Sequence, residues 1–345
     1  MQMSSKRNYY RRYEHMKRIY LITGAAGHLA STTIKKLRNQ DCSIRGLILP
    51  DEQGTDDEQI TYYRGDITKP DTLDAFFSGL EEYEVIVLHM AGIISIQDKV
   101  SPLVYEVNVN GTKNVIDKCL QYHVARLLYV SSVHAIPEPD KITTIEEIRH
   151  FSKGAVEGAY AITKAQATQA VLDAEKQGLD VVVVHPSGII GPGDLGNNHT
   201  TQLMQMYLHH KLPMGVTGGY DFVDVRDVAD GILAAVDKGN SGECYLLSNR
   251  YISIPELLEC MRMATGRKRH KSCCPLWLAK AAAPVVEWIA RLTKTRPIFT
   301  KYSLKTMESN GHFCHDKATM ELGYHPRDIK VTVRDTMKYL RAHHA

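Results

Sequence analysis

Through its first 190 residues the chain alternates short, unbroken apolar runs with stretches of helical periodicity, and few folds accept that rhythm. The runs Arg18–Thr23, Ser43–Leu49, Ile60–Tyr63, Val85–Met90, Leu127–Ser131 and Asp180–His185 read as strands. Leu29–Asn39, Asp71–Gly79, Pro102–Tyr122 and Tyr160–Gln177 read as helices. A strand that is apolar at every position must be covered on both faces, which selects a parallel sheet between two layers of helix. Crossovers in such sheets are right-handed, so the expected fold is α/β and doubly wound. After Pro186 the rhythm breaks. Gly191–Asn198 is a Gly/Asn-rich loop, Thr201–His210 looks helical, Gly215–Gly219 is another loop, and Val223–Val236 is again apolar and periodic. Glu243–Leu247 reads as a late strand, and from Ile254 the chain is mostly helical.

The first strand runs into Thr23-Gly24-Ala-Ala-Gly27-His-Leu-Ala30, which opens the first helix. Gly24 permits a tight turn, and Gly27 removes the side chain that would block a pyrophosphate. The helix start offers free N–H groups and the positive end of its dipole. Ala30 stands where a third Gly is common, at a position that serves close helix–strand packing. Placed here, the turn marks a Rossmann-like dinucleotide site. The chain is therefore expected to divide into a flexible basic extension (1–17), a dinucleotide-binding domain (18–190, with 222–249 returning to it) and a smaller, mostly helical substrate lobe (191–221 and 250–345). Gly24, Ala26, Gly27, His28 and Leu29 are the candidates at the phosphates. Asp51, just past the second strand, is the candidate for the ribose 2′-hydroxyl, and Asp66 with Ile67 for the adenine. The second strand ends on Leu47-Ile-Leu-Pro-Asp51-Glu52, with no Arg or Lys adjoining in sequence, so NAD is expected ahead of NADP. Asp66 also suits a turn or a helix entry.

Tyr160 and Lys164 lie one turn apart on one face of a helix. A phenol ionises near pH 10, and bringing it to neutrality takes roughly 4 kcal/mol, which a neighbouring ammonium, a cationic nicotinamide and a helix N-terminus supply together. Such a pair also occurs on ordinary helix surfaces. What lifts it is Ser131-Ser132 at the end of the preceding strand, where active sites of open α/β sheets lie. Strand alternation turns Ser131 to the other side, leaving Ser132 to orient a substrate oxygen while Tyr160 exchanges its proton.

Together, Thr23-Gly24-x-x-Gly27, His89-Met-Ala91-Gly92, Asn108-Val-Asn-Gly111-Thr112, Tyr129-Val-Ser-Ser132, Tyr160-x-x-x-Lys164 and His185-Pro-Ser-Gly-Ile-Ile-Gly-Pro192-Gly-Asp194 resemble the extended short-chain dehydrogenase/reductase family. Gly218–Ala229, Pro297-Ile-Phe-Thr300 and Glu321-Leu-Gly-Tyr324-x-Pro326 are similar to its branch of dihydroflavonol 4-reductases, 3β-hydroxysteroid dehydrogenases and hopanoid-associated proteins. The resemblance implies Ser132, Tyr160 and Lys164 as the catalytic triad, with Asn108 supporting them. It implies Met90, Ala91, Gly92, Ser131, Tyr160 and Lys164 beside the cofactor, and Pro186, Ser187 and Gly188 along the carboxamide. His185 departs from the Arg that commonly precedes this Pro.

The function expected is hydride transfer between NAD(P) and a secondary alcohol or ketone on a bulky, apolar small molecule. A sugar-nucleotide epimerase or dehydratase that recycles its NAD is the alternative, and a non-catalytic NAD(P) sensor the third. A nucleotide sugar calls for cations, and Gly191–Gly219 offers only Lys211. Trp277, Trp288 and Phe299 suit either a substrate wall or the core. Asp224, Arg226 and Asp227 suit either an inter-lobe ion-pair set or a solvated face. Residues 1–18 hold six Lys/Arg against Glu14, yet the whole chain carries only +3, so the body is close to neutral and no nucleic-acid surface is expected. Leu276–Leu292 includes Lys280, Pro284, Glu287 and Arg291 and is too short and charged to span a bilayer, so no stable membrane insertion is expected. Seven cysteines without CxxC spacing, and no apolar run before residue 19, fit a reducing cytoplasm with no disulfide framework and no metal site. Helices 102–122 and 160–177 suit a homodimer seam.

Overall fold

The computed structural model describes residues 16–343 apart from 39, 55–57, 96–99, 195–197, 270, 293–303 and 305–306. Most of the basic extension, Phe299 and the Pro297–Thr300 motif therefore lie outside the described residues. In chain order the dinucleotide half holds β1 (Lys17–Thr23), α1 (His28–Leu37), β2 (Cys42–Ile48), β3 (Ile60–Arg64), α2 (Asp74–Phe77) and β4 (Tyr83–His89). Next come α3 (Pro102–Tyr105), α4 (Thr112–Gln121), β5 (Arg126–Val130), α5 (Ala159–Ala174) and β6 (Val181–Pro186). The remainder comprises β7 (Gly188–Ile190), α6 (His199–Leu208), β8 (Gly215–Val216), β9 (Gly219–Asp224), α7 (Val225–Lys238), β10 (Glu243–Leu247) and β11 (Arg250–Ser253). It ends with α8 (Ile254–Thr265), β12 (Cys273–Cys274), α9 (Leu276–Leu292), α10 (Asp316–Leu322) and α11 (Ile329–His343).

Seven strands form one parallel sheet in the order β10-β6-β5-β4-β1-β2-β3. Alternate residues of its central strands feed two different cores, which is why their sequences are apolar throughout. Ile19, Leu21, Val87 and Val183 join one face with Val115 and Ile116 of α4 and Val171 of α5. Tyr20, Ile22, Ile86 and Val184 join the other with Ile34 of α1 and Ile232 of α7. The strand order reverses between β1 and β4, where Thr23 pairs with His89. A crevice outside the strand ends opens there, the usual place for a ligand in such sheets.

Two departures from the periodicity reading shape the site. The expected helix 102–122 is interrupted by a π-helical turn, Glu106–Gly111. That extra residue per turn aims Asn108 at residue 93, and Gly111 admits Ile67, whose side chain would lie 2.7 Å from a Cβ there. The apolar run Val223–Val236 is part strand and part helix. Asp224 ends β9 and caps α7, its carboxylate accepting from the Arg226 N–H at 2.8 Å. β9 pairs with β7 and β11 in a separate three-stranded sheet. Asp224, Arg226 and Asp227 do form an ion-pair set: Arg226 bridges Asp224 to Asp335 of α11, and Arg327 pairs with Asp227. No helix among the described residues is long and apolar enough to cross a membrane.

Candidate active site

The phosphate turn is built on close backbone approach. Gly24 has φ +66°, and a Cβ on it would stand 2.9 Å from the Ala91 Cα. The Gly27 N–H donates to the Gly24 carbonyl at 2.9 Å, and Gly27 then becomes the N-cap of α1, with no side chain closing the helix start. Ala30 is 2% exposed in the core under α1, which explains why a methyl is accepted where a third Gly is common. His28 bonds the Pro192 carbonyl at 3.0 Å, so the helix start and the 191–194 loop face each other. Ala26 and Leu29 complete the turn. Gly24→Ala should weaken dinucleotide binding at least about tenfold, since the αL conformation and the Ala91 backbone both oppose a methyl. Fluorescence titration with NADH measures this, and unchanged affinity would show that the turn does not hold the phosphates.

At the adenosine end Ile67 is buried, while Asp51 is exposed on the turn after β2. Asp66 is used locally: its Oδ1 accepts from the backbone and hydroxyl of Thr68 at 2.9 and 2.8 Å. The turn reading of Asp66 therefore holds. The fold also brings in a cation that adjacency in sequence hid. Arg64, at the end of β3, donates to the Pro50 and Glu52 carbonyls beside Asp51.

His89 organises the crevice. The Thr23 hydroxyl accepts from the Met90 and Ala91 N–H groups at 3.1 Å each, so its proton goes to His89 Nδ1, 2.7 Å away. The Thr112 hydroxyl donates to the Asn108 carbonyl, so it accepts from His89 Nε2 at 3.0 Å. The network thus assigns the neutral Nε2–H tautomer. Burial pushes this imidazole down to about 3. Asn108 accepts from the Ile93 N–H at 2.8 Å and donates to the Ile93 carbonyl and the Thr163 hydroxyl, bridging the Ala91-Gly92 turn to α5.

Helix α5 starts after Gly158 at φ +96° and carries Tyr160, Thr163 and Lys164, all buried. Lys164 Nζ donates to the Val130 carbonyl at 2.9 Å and lies 3.3 Å from the Tyr129 hydroxyl. A Cβ on Gly92 would stand 3.5 Å from that Nζ, so the glycine leaves the crevice open above the lysine. Burial alone pulls Lys164 down to about 7. Ser131 and Ser132 diverge. Ser131 Oγ shares a 2.6 Å bond with Thr168, on α5, whereas Ser132 Oγ accepts from the His134 N–H at 3.2 Å. His185 donates from Nδ1 to the Ser132 carbonyl at 2.9 Å and stacks on Phe151.

A cavity of about 570 Å³ opens beside Tyr160, walled by Val133, His134, Ala161, Tyr220 and Phe313. His134 stacks on Tyr220 at 5.7 Å, bonds its hydroxyl at 3.1 Å and meets the Tyr160 ring edge-on at 6.0 Å. Burial pushes His134 down to about 4, so it faces the cavity neutral. Neither His134 nor Tyr220 stood out in the sequence; the signal was a His two residues after the Ser pair. Trp277, expected in a substrate wall or in the core, is 70% exposed and lines no part of this cavity, while the side chain of Trp288 lies outside the described residues. Among the described residues the rim carries Glu138, Glu157, Glu308 and Lys141, and Glu308 is ion-paired with Lys280.

The sequence model of the NAD dependent epimerase/dehydratase family matches residues 20–248. The chain belongs to this family. It is similar to sterol demethylase protein B of Methylococcus capsulatus, 26% identical over 93% of this chain and 98% of that protein. It is also 26% identical to the sterol-4-alpha-carboxylate 3-dehydrogenase erg26, decarboxylating, of Schizosaccharomyces pombe, over 82% of this chain and 84% of that one. The crystal structure of gox2253 superposes with a TM-score of 0.80 at 28% identity, covering 95% of this chain and 99% of that one. This family member is an NAD(P)-dependent oxidoreductase. The side-chain-free start of α1 at Gly27 and the space that Gly92 leaves beside Asn108 and Lys164 fit its dinucleotide.

Proposed function

We propose that the enzyme interconverts a secondary alcohol and a ketone on a bulky, largely apolar small molecule. The observation that carries this is the cavity next to the start of α5, which sets Val133, Ile136, Val156, Ala161 and the rings of Tyr220 and Phe313 beside a rim of three carboxylates, of which Glu308 pairs with Lys280. A sugar nucleotide would bring its diphosphate against that acidic rim, where like charges repel. Kinship with a sterol 3-dehydrogenase supports a substrate of such bulk. When bound, the dinucleotide supplies or accepts the hydride. The chain's own residues handle the proton and the geometry. Ser132 Oγ orients the substrate oxygen. Tyr160 gives or takes the hydroxyl proton. Lys164 favours the phenolate, and it is cationic only at modest cost because burial leaves it near 7. Asn108 fixes the Ile93 backbone, and His89 joins Thr23 to Thr112 at the base of the Ala91-Gly92 turn.

We take NAD as the preferred cofactor. Asp51 and Glu52 stand past β2, and the nearby Arg64 is already engaged by two carbonyls. The decisive assay supplies NAD+ with 3-hydroxysteroids and other apolar secondary alcohols and follows net NADH. Stoichiometric NADH supports the reading. Isomerised or dehydrated nucleotide sugar without net NADH would replace it.

A further inference from the structure

Beneath the segment Pro186–Gly188 lies a carboxyl group that the chemistry above leaves idle. Asp221, in the middle of β9, is 0% exposed. Its Oδ1 accepts from the Ser187 hydroxyl at 2.5 Å and from the Asn249 N–H at 3.0 Å. Oδ2 is buried with no hydrogen-bond partner among the described residues. Arg250 on β11 is the charge acting on Asp221, which shares the neighbourhood of Tyr324 with Asp224 on β9, Asp227 on α7 and Arg327. The nearby cations are committed elsewhere: Arg250 to Glu256, and Arg327 to Asp227. A buried anion with one bare oxygen and no paired cation is costly, and a proton on Oδ2 relieves most of that cost. Burial accordingly pushes the carboxyl up to about 6.

The position of this group matters. Ser187 joins Pro186 to Gly188, and β9 presses directly on them: a Cβ on Gly188 would lie 2.9 Å from the Asp221 carbonyl oxygen. We propose that Asp221 is a positioning residue that couples binding of the oxidised dinucleotide to release of one proton. Below about pH 6 the free enzyme holds it mainly as a neutral acid bonded to Ser187. When the cationic nicotinamide ring settles beside Pro186–Gly188, the O–H bond of Asp221 breaks, the proton passes to solvent and the carboxylate remains. No electrons move, and the neutral ring of the reduced dinucleotide releases no such proton. The inference rests on reading Pro186–Gly188 as the border of the nicotinamide site.

Calorimetry of NAD+ binding to the full chain at pH 6, in two buffers of different ionisation heat, counts the protons released. Lys164 also titrates near neutrality, so the informative quantity is the difference between the enzyme and Asp221→Asn. The variant should release fewer protons with NAD+ and the same number with NADH. Equal counts with NAD+ would overturn the proposal. ADP-ribose, which lacks the nicotinamide, should show no difference between the two proteins. A difference as large as with NAD+ would show that Asp221 answers to another part of the ligand and would sink the border reading instead. Should Asp221→Asn fail to fold, Ser187→Ala removes the donor that favours the carboxylate and should move the midpoint of proton release to higher pH, and an unmoved midpoint would overturn the coupling.

Discussion

Tyr160→Phe should leave the dinucleotide bound with unchanged affinity and cut turnover about a thousandfold, the middle of the range that a positioned acid–base group contributes. The change is isosteric apart from one oxygen. The ring keeps its edge contact with His134 and its buried place at the start of α5, so neither the cavity nor the helix should shift. What disappears is the phenol to which the proposed mechanism assigns the proton, one helical turn from Lys164 on α5. Ser132 cannot replace it, because an aliphatic hydroxyl ionises far above the range in which Lys164 helps. NADH fluorescence titration gives the affinity, and single-turnover reduction of a bound ketone gives the chemical step. Turnover within tenfold of the unaltered enzyme would remove Tyr160 from the chemistry. Lost binding would mean that the hydroxyl serves the cofactor instead.

Much of this site could be read before any coordinates. The dinucleotide half follows from patterning: strands apolar on both faces allow only a doubly covered parallel sheet, and the Gly24 turn sits at its switch point. Tyr160 and Lys164 were legible because helical spacing is local. The divergence of Ser131 and Ser132 followed from strand alternation in the same way. What could not be read depends on contacts across the sheet. His89 is one apolar-looking position in a buried strand until Thr23 and Thr112 arrive from two other elements to satisfy both its nitrogens. Arg64 is distant from Asp51 in sequence, yet β2 and β3 pair at Ile48 and Arg64 and deliver it there. The π-helical turn that aims Asn108 was not legible in the helical periodicity, and the close packing of Ile67 over Gly111 within it is a contact between distant parts of the chain. The exposed Trp277 shows the reverse: an aromatic in an apolar helix suggests a wall or a core, and only packing decides which face turns outward.

The buried histidines predict a second large effect, acid lability. His89 and His185 are both 0% exposed, and burial holds them near 3 and 4, with His134 also near 4. An unfolded imidazole takes its proton at about 6.5. Between that value and 4 the unfolded chain therefore binds protons that the folded chain refuses, and stability falls as pH falls through this window. At about 1.4 kcal/mol per unit, each fully buried imidazole costs at most about 3 kcal/mol by pH 4, a large share of a typical stability. Asp221 opposes the trend over part of the range, because its folded carboxyl takes a proton before the unfolded one does. Glu147, likewise pushed up by burial, acts in the same sense, and three imidazoles against two carboxyls leave a net loss. The cost at His89 is specific: a proton on Nδ1 would set two donors against each other at Thr23, whose hydroxyl is already committed to two backbone N–H groups as an acceptor. Urea titrations from pH 7.5 to 4.5 should show the unfolding free energy dropping by several kcal/mol. His89→Gln retains one donor and one acceptor but cannot titrate, so proton uptake on unfolding at pH 5.5 should fall by about one. A flat profile above pH 5, or a variant with the same slope, would mean that His89 is already charged in the native protein and that the hydrogen bonds ordering the Ala91-Gly92 turn run the other way.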